Sequence, residues 1–117
     1  MAGFSPELLR GSLDLMVLSV LAEAPQYGYL IQQRLREASG DRVAVTAGTL
    51  YPILHRLEHS KYVKCRWEST TGRRRKWYEL TAAGRRQLQH RAEQWQLYAD
   101  CVRRLLEPVV KLAPEAT

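Results

Sequence analysis

The chain has 117 residues (13.5 kDa), with 18 Lys and Arg against 12 Asp and Glu, a net charge of +6 and an isoelectric point near 9.7. A hydrophobic content of 45% with 26% charged residues excludes a disordered chain, and the length suits one domain. No apolar run nears the roughly 18 residues that span a bilayer, and the two cysteines, Cys65 and Cys101, are too few for a disulfide framework, so a cytoplasmic protein is expected.

The first expected helix covers Leu8 to Ala24. Leu9, Leu13, Met16, Val17, Val20 and Leu21 follow a helical i, i+3, i+4 pattern, and Leu8, Leu15 and Leu18 make the other side apolar too. Ala24-Pro25 closes it, because a residue before proline disfavours the helical region. Tyr29 to Ser39 forms a second helix, with Leu30, Ile31 and Leu35 inward and Gly40 as its stop. Val43 and Val45 suggest one short strand. A third helix spans about Thr46 to Ser60, with Leu50, Ile53, Leu54 and Leu57 on one stripe. Capping by Thr46 places Pro52 at the sixth helical position, where it loses a backbone bond, whereas capping by Thr49 places it in the tolerant first turn. Either a late start or a distorted first turn is therefore expected.

Tyr62 to Glu68 and Lys76 to Leu80 are β-branched and aromatic segments around Ser69-Thr70-Thr71-Gly72, a hairpin with a loop longer than two residues. By alternation, Tyr78 and Leu80 point into the core. Thr81 caps a last helix from Ala82 to about Glu107, which Pro108 should end or kink, and the tail to Thr117 is expected to fray. Along this helix Leu88, Ala92, Trp95, Ala99, Val102, Leu106 and Val109 are spaced alternately by four and three, the seam of paired helices. The fold class is mainly α with a small β-hairpin: a winged helix-turn-helix over residues 1–81, followed by a dimerisation helix and short tail over 82–117.

Charge follows this plan. Between Lys61 and Arg86 stand nine basic residues against Glu68 and Glu79, a local excess of +7 that leaves the rest of the chain at −1. Such a concentration is the footprint of a polyanion-binding surface. On the third helix, Thr49, Tyr51, Pro52, His55, Arg56 and His59 lie off the leucine stripe. Arg56 suits a bidentate guanine contact and Thr49 a thymine-methyl or phosphate contact. Arg73, Arg74, Arg75 and Lys76, at or next to the hairpin tip, suit phosphates or the minor groove. His55 and His59 lie one turn apart, but no reliable further ligand completes a metal site, so neither metal nor cofactor is expected. No nucleophile–base set, phosphate-cradling loop or acidic pair points to an enzyme.

Four blocks carry a family resemblance: Leu9-Arg10-Gly11-Ser12-Leu13-Asp14-Leu15; Tyr27-Gly28-Tyr29 with Ile31; Gly48 through Glu58; and Gly72 through Thr81 with Gly84. In this order and spacing they resemble PadR-like transcriptional regulators, in the compact branch with one helix after the wing. The resemblance implies a repressor-type dimer held by its last helix, often with help from the first. It also implies binding of double-stranded DNA at a two-fold-related site, without membrane attachment. Compact relatives accept planar aromatic effectors near the dimer centre, which implicates Trp95, with Tyr98 and Met16 lining the same cavity. The rival reading is a winged-helix module that binds protein or RNA without a specific operator; two-fold symmetry of the bound duplex separates the two.

Overall fold

Gly11 sets where the helix over Leu13–Leu21 begins. The computed structural model describes residues 4, 9, 11–70 and 72–112. Gly11 has φ +88°, in the left-handed region, and both the amide and hydroxyl of Ser12 donate to the Leu9 carbonyl. Helix α1 therefore runs Leu13–Leu21, shorter than the expected Leu8–Ala24. The expected start at Leu8 lies outside the described residues, as do the tail beyond 112 and residue 71.

The short strand β1 (Gln26–Tyr27) is followed at once by α2 (Gly28–Ala38), and α3 covers Ala47–His59. No strand forms at Val43–Val45. The chain leaves α2 through Gly40 and Asp41, at φ +64° and +66°, and drops the Val43 side chain into the core. The Gln32 amide holds the Val45 carbonyl at 2.9 Å. The third strand of the sheet is β1 instead, too short to show alternation in sequence.

Strands β2 (Val63–Thr70) and β3 (Arg73–Leu80) pair antiparallel, and β1 adds to the other side of β3, giving the order β1-β3-β2. Pairing persists to Thr70 opposite Arg73, so only positions 71 and 72 separate the strands, and Gly72 has φ +79°. The loop is thus the two-residue type, not the longer one expected. The polar run Glu68-Ser69-Thr70 is strand beyond the edge of the core, where burial no longer selects apolar residues.

The core joins Val17, Leu18 and Leu21 of α1, Ile31 and Leu35 of α2, Leu50, Leu54 and Leu57 of α3, and Val63, Tyr78 and Leu80 of the sheet. Helix α4 (Ala82–Leu112) starts where Thr81 ties three segments together. The Thr81 hydroxyl donates to the Lys61 carbonyl (2.7 Å) and accepts from the Gly84 amide (2.9 Å), while the Thr81 amide donates to the Tyr62 carbonyl (3.0 Å). The helix does not end at Pro108. Proline removes the bond to the carbonyl four residues back, that of Arg104, and Arg104 is exposed, so water can satisfy that oxygen.

Candidate nucleic-acid interface

Thr46 caps α3: its hydroxyl accepts from the Thr49 amide at 3.3 Å. Its carbonyl accepts from the amides of both Thr49 (3.1 Å) and Leu50 (3.0 Å), a tightened first turn. The helix starts early, Pro52 stands at the sixth position, and the Gly48 carbonyl that Pro52 cannot satisfy belongs to an exposed residue. With Leu50, Ile53, Leu54 and Leu57 buried, the opposite face presents Gly48, Pro52, His55 and His59 to solvent.

The two flanks of α3 are anchored differently. On one, Arg56 Nη2 donates to Asp14 Oδ1 of α1 at 3.0 Å, and Thr49 lies two turns earlier on the same side. On the other, Tyr51 is 40% exposed, but its hydroxyl lies so close over Gly28 that a Cβ there would collide with it. Tyr51 therefore packs down over Gly28, and Gly28 is the residue that admits it.

The four consecutive cations lie along β3, not at the loop. Register places Arg74, Lys76, Tyr78 and Leu80 on one sheet face with Val63, Cys65, Trp67 and Ser69, and Arg73, Arg75, Trp77 and Glu79 on the other. Arg73 and Arg74 are exposed and Arg75 is half-buried. Lys76 turns inward: its Nζ lies 3.4 Å from Glu58 Oε1 of α3 and 5.5 Å from the Tyr78 ring centre. Lys76 thus links the wing to α3, a place different from the outward one expected from the sequence.

Between α3 and the wing runs a groove of about 700 Å³, walled by Tyr29, Tyr51 and His55 on one side and by Trp67 and Arg73 through Lys76 on the other. Trp67 (55% exposed) and Tyr29 (62% exposed) line this groove, and neither was named from the sequence as a candidate contact. For Trp67 the signal was present, since it continues the alternation of Val63 and Cys65 past the end of the core. Tyr29 stood at the start of a helix and in the Tyr27-Gly28-Tyr29 block, with no local pattern to mark it as a groove wall.

The floor at the α3–wing junction is electrostatically closed. Hydrogen bonding from the Cys65 thiol, and then the Lys76 ammonium, hold the Glu58 carboxyl below the usual carboxylate range. Burial, and then the Glu58 carboxylate, push the Cys65 thiol up to about 12, and burial pushes the Tyr78 phenol up to about 12. Among the described residues, no group of three His, Cys, Asp or Glu is placed to hold a metal ion.

Away from the groove, Met16 and Trp95 line a hollow of about 320 Å³ between α1, α2 and α4, together with Leu15, Val20, Leu35 and Val43. Tyr98 is not part of it. Tyr98 lies with Trp95, Ala99, Val102 and Leu106 along a shallow apolar groove on α4. Of the expected seam, Leu88 packs against the chain's own core and Ala92 is half-buried, while Trp95, Leu106 and Val109 are 47%, 50% and 60% exposed.

A helix with a solvent-facing surface beside a basic hairpin, on a three-helix core, is the winged-helix plan, and the comparisons agree. A crystal structure of a PadR-family regulator from Eggerthella lenta has 38% identity and a TM-score of 0.77, covering 86% of this chain and 87% of that one. A transcriptional regulator from Clostridium thermocellum has 30% identity and a TM-score of 0.78, over 84% and 96%. The transcriptional regulator Rv3488 of Mycobacterium tuberculosis is 35% identical over 79 residues, 68% of this chain and 71% of that protein. Residues 17–90 match the model of the transcriptional regulator PadR-like family, and the chain belongs to that family of DNA-binding transcriptional regulators.

Proposed function

We propose that this chain is a homodimeric, repressor-type regulator that binds a two-fold-related duplex site in the cytoplasm. The observation that carries the reading is the groove between the solvent face of α3 and the basic strand of the wing. In this reading residues 1–81 contact DNA. Thr49, Tyr51, Pro52, His55 and Arg56 enter the major groove, and Arg73, Arg74 and Arg75 engage the backbone beside it. Residues 82–117 form the dimerisation unit, the partner copy covering the exposed seam of Trp95, Ala99, Val102 and Leu106. A planar aromatic effector binds against Met16 and Trp95, with Tyr98 at the margin, and shifts the spacing of the two reading helices by its difference in affinity for the two spacings. The apolar hollow beside Trp95 supports that placement.

Binding of the purified protein to the duplex upstream of its own gene, against a scrambled duplex over a salt series, tests the proposal. Preference for the upstream duplex that persists at physiological salt is expected. Equal binding to both that vanishes with salt contradicts operator recognition and favours an interaction module.

A further inference from the structure

We propose that Trp67 and Tyr27 are positioning residues for the wing: aromatic shelves that hold two arginines in place to clasp phosphodiesters. The proposal rests on the reading of the wing as a DNA contact and names what makes that contact selective for arginine. The Arg74 guanidinium carbon lies 4.4 Å from the Trp67 ring centre, and that of Arg75 lies 4.5 Å from the Tyr27 ring centre. The two arrangements repeat one geometry. Trp67 pairs across β2–β3 with Lys76, two residues beyond Arg74, and Tyr27 pairs across β1–β3 with Trp77, two residues beyond Arg75. Each arginine therefore reaches diagonally along β3 to a ring on the neighbouring strand, one on each face of the sheet.

Arg73 apart, the other cations of the sheet each meet a carboxylate. Lys64 meets Glu79, Arg66 meets Glu68 at 2.9 Å while lying 5.4 Å from the Trp77 ring centre, and Lys76 meets Glu58. Among the described residues, neither Arg74 nor Arg75 forms an ion pair or a side-chain hydrogen bond. A guanidinium stacked on a ring keeps its planar fork of N–H donors free, so these two groups are immobilised without being neutralised. A phosphate meeting them forms charge-assisted bonds without first displacing a carboxylate and with less side-chain entropy to lose. A lysine in either position keeps the charge but neither the fork nor the planar stack.

Titration of a labelled duplex of arbitrary sequence over a potassium chloride series, followed by anisotropy, tests this, with melting curves confirming that each variant is folded. Arg74→Lys and Trp67→Leu should each weaken binding about two- to fivefold, the scale of one exposed cation–π contact. The salt slope should not change, because no charge is lost, and the double variant should bind no more weakly than the weaker single one. Trp67→Phe, which keeps a ring, should bind more tightly than Trp67→Leu. Arg75→Lys and Tyr27→Leu should behave as the corresponding pair. Wild-type binding by Arg74→Lys, or losses that multiply in the double variant, overturns the proposal. The Arg74→Ala/Arg75→Ala variant separates the two levels. A slope reduced by about two contacts upholds the wing as a DNA contact whatever the shelves do, and an unchanged slope removes that reading itself.

Discussion

The Arg56 guanidinium of α3 is bound to the Asp14 carboxylate of α1 at 3.0 Å, across 42 residues of sequence. The pair holds Arg56, the side chain proposed to read guanine, at one edge of the exposed face of α3. Its ion pair is largely solvent-exposed on the Arg56 side, so it contributes at most about 1 kcal/mol to folding.

Arg56→Ala should therefore leave the melting temperature within a few degrees of wild type while lowering the ratio of specific to non-specific DNA binding by about 1–3 kcal/mol. Calorimetry with paired duplex titrations checks both. A lowered melting temperature with an unchanged ratio would make Arg56 a tether to α1 and no more.

Gly84 packs against the Tyr62 backbone so closely that a Cβ there would collide with the Tyr62 carbonyl. Backbone cannot move aside as a side-chain tip can. Gly84→Ala is expected to destabilise by more than about 2 kcal/mol, through the junction of α4 with the root of the wing. Gly28→Ala meets the hydroxyl end of Tyr51 instead, which can swing away, so it should cost less in stability and alter DNA affinity more. Denaturant unfolding of both variants orders the two effects.

The two thiols should react very differently. With its pKa near 12, raised first by burial and then by Glu58, Cys65 carries about one thiolate in ten thousand at about pH 8, whereas Cys101 is exposed. Iodoacetamide on the folded protein should label Cys101 alone, as peptide mass mapping would show. The same shift has a signed effect on stability. The folded state binds this proton more tightly than the unfolded chain, so the contribution is complete below about pH 9 and is lost as pH climbs towards about 12. Cys65→Val should flatten that alkaline decline.

Leu106 is half exposed in the seam of α4. Leu106→Arg should convert the proposed dimer to a monomer of 13.5 kDa while leaving the far-ultraviolet spectrum unchanged, as sedimentation equilibrium and circular dichroism would show. A wild-type chain that already sediments as a monomer would contradict the seam.

What could be read from the sequence was what burial periodicity writes into it. Leu50, Ile53, Leu54 and Leu57 mark α3 and its inner face because every one of them is buried. Tyr78 and Leu80 fall inward as alternation requires. Where burial stops selecting residues, the pattern fails. The outer half of the hairpin is polar, so Arg73 to Arg75 fell in the expected loop although they are strand. Strand β1 has two residues, fewer than one period of alternation can reveal. The inward turn of Lys76 depends on Glu58, 18 residues away, and the placement of Arg56 at the flank of α3 depends on Asp14, 42 residues away. Such pairings depend on how helices meet, and no local spacing records them.

The central claim is that two copies of this chain read one symmetric duplex through α3 and the wing. Selection of bound duplexes from a random-sequence library, followed by sequencing, tests it most directly. The account predicts enrichment of inverted half-sites centred about one helical turn apart, with the preference lost at one base pair per half-site in Arg56→Ala. No enrichment, or enrichment of a single unrepeated element, would contradict it.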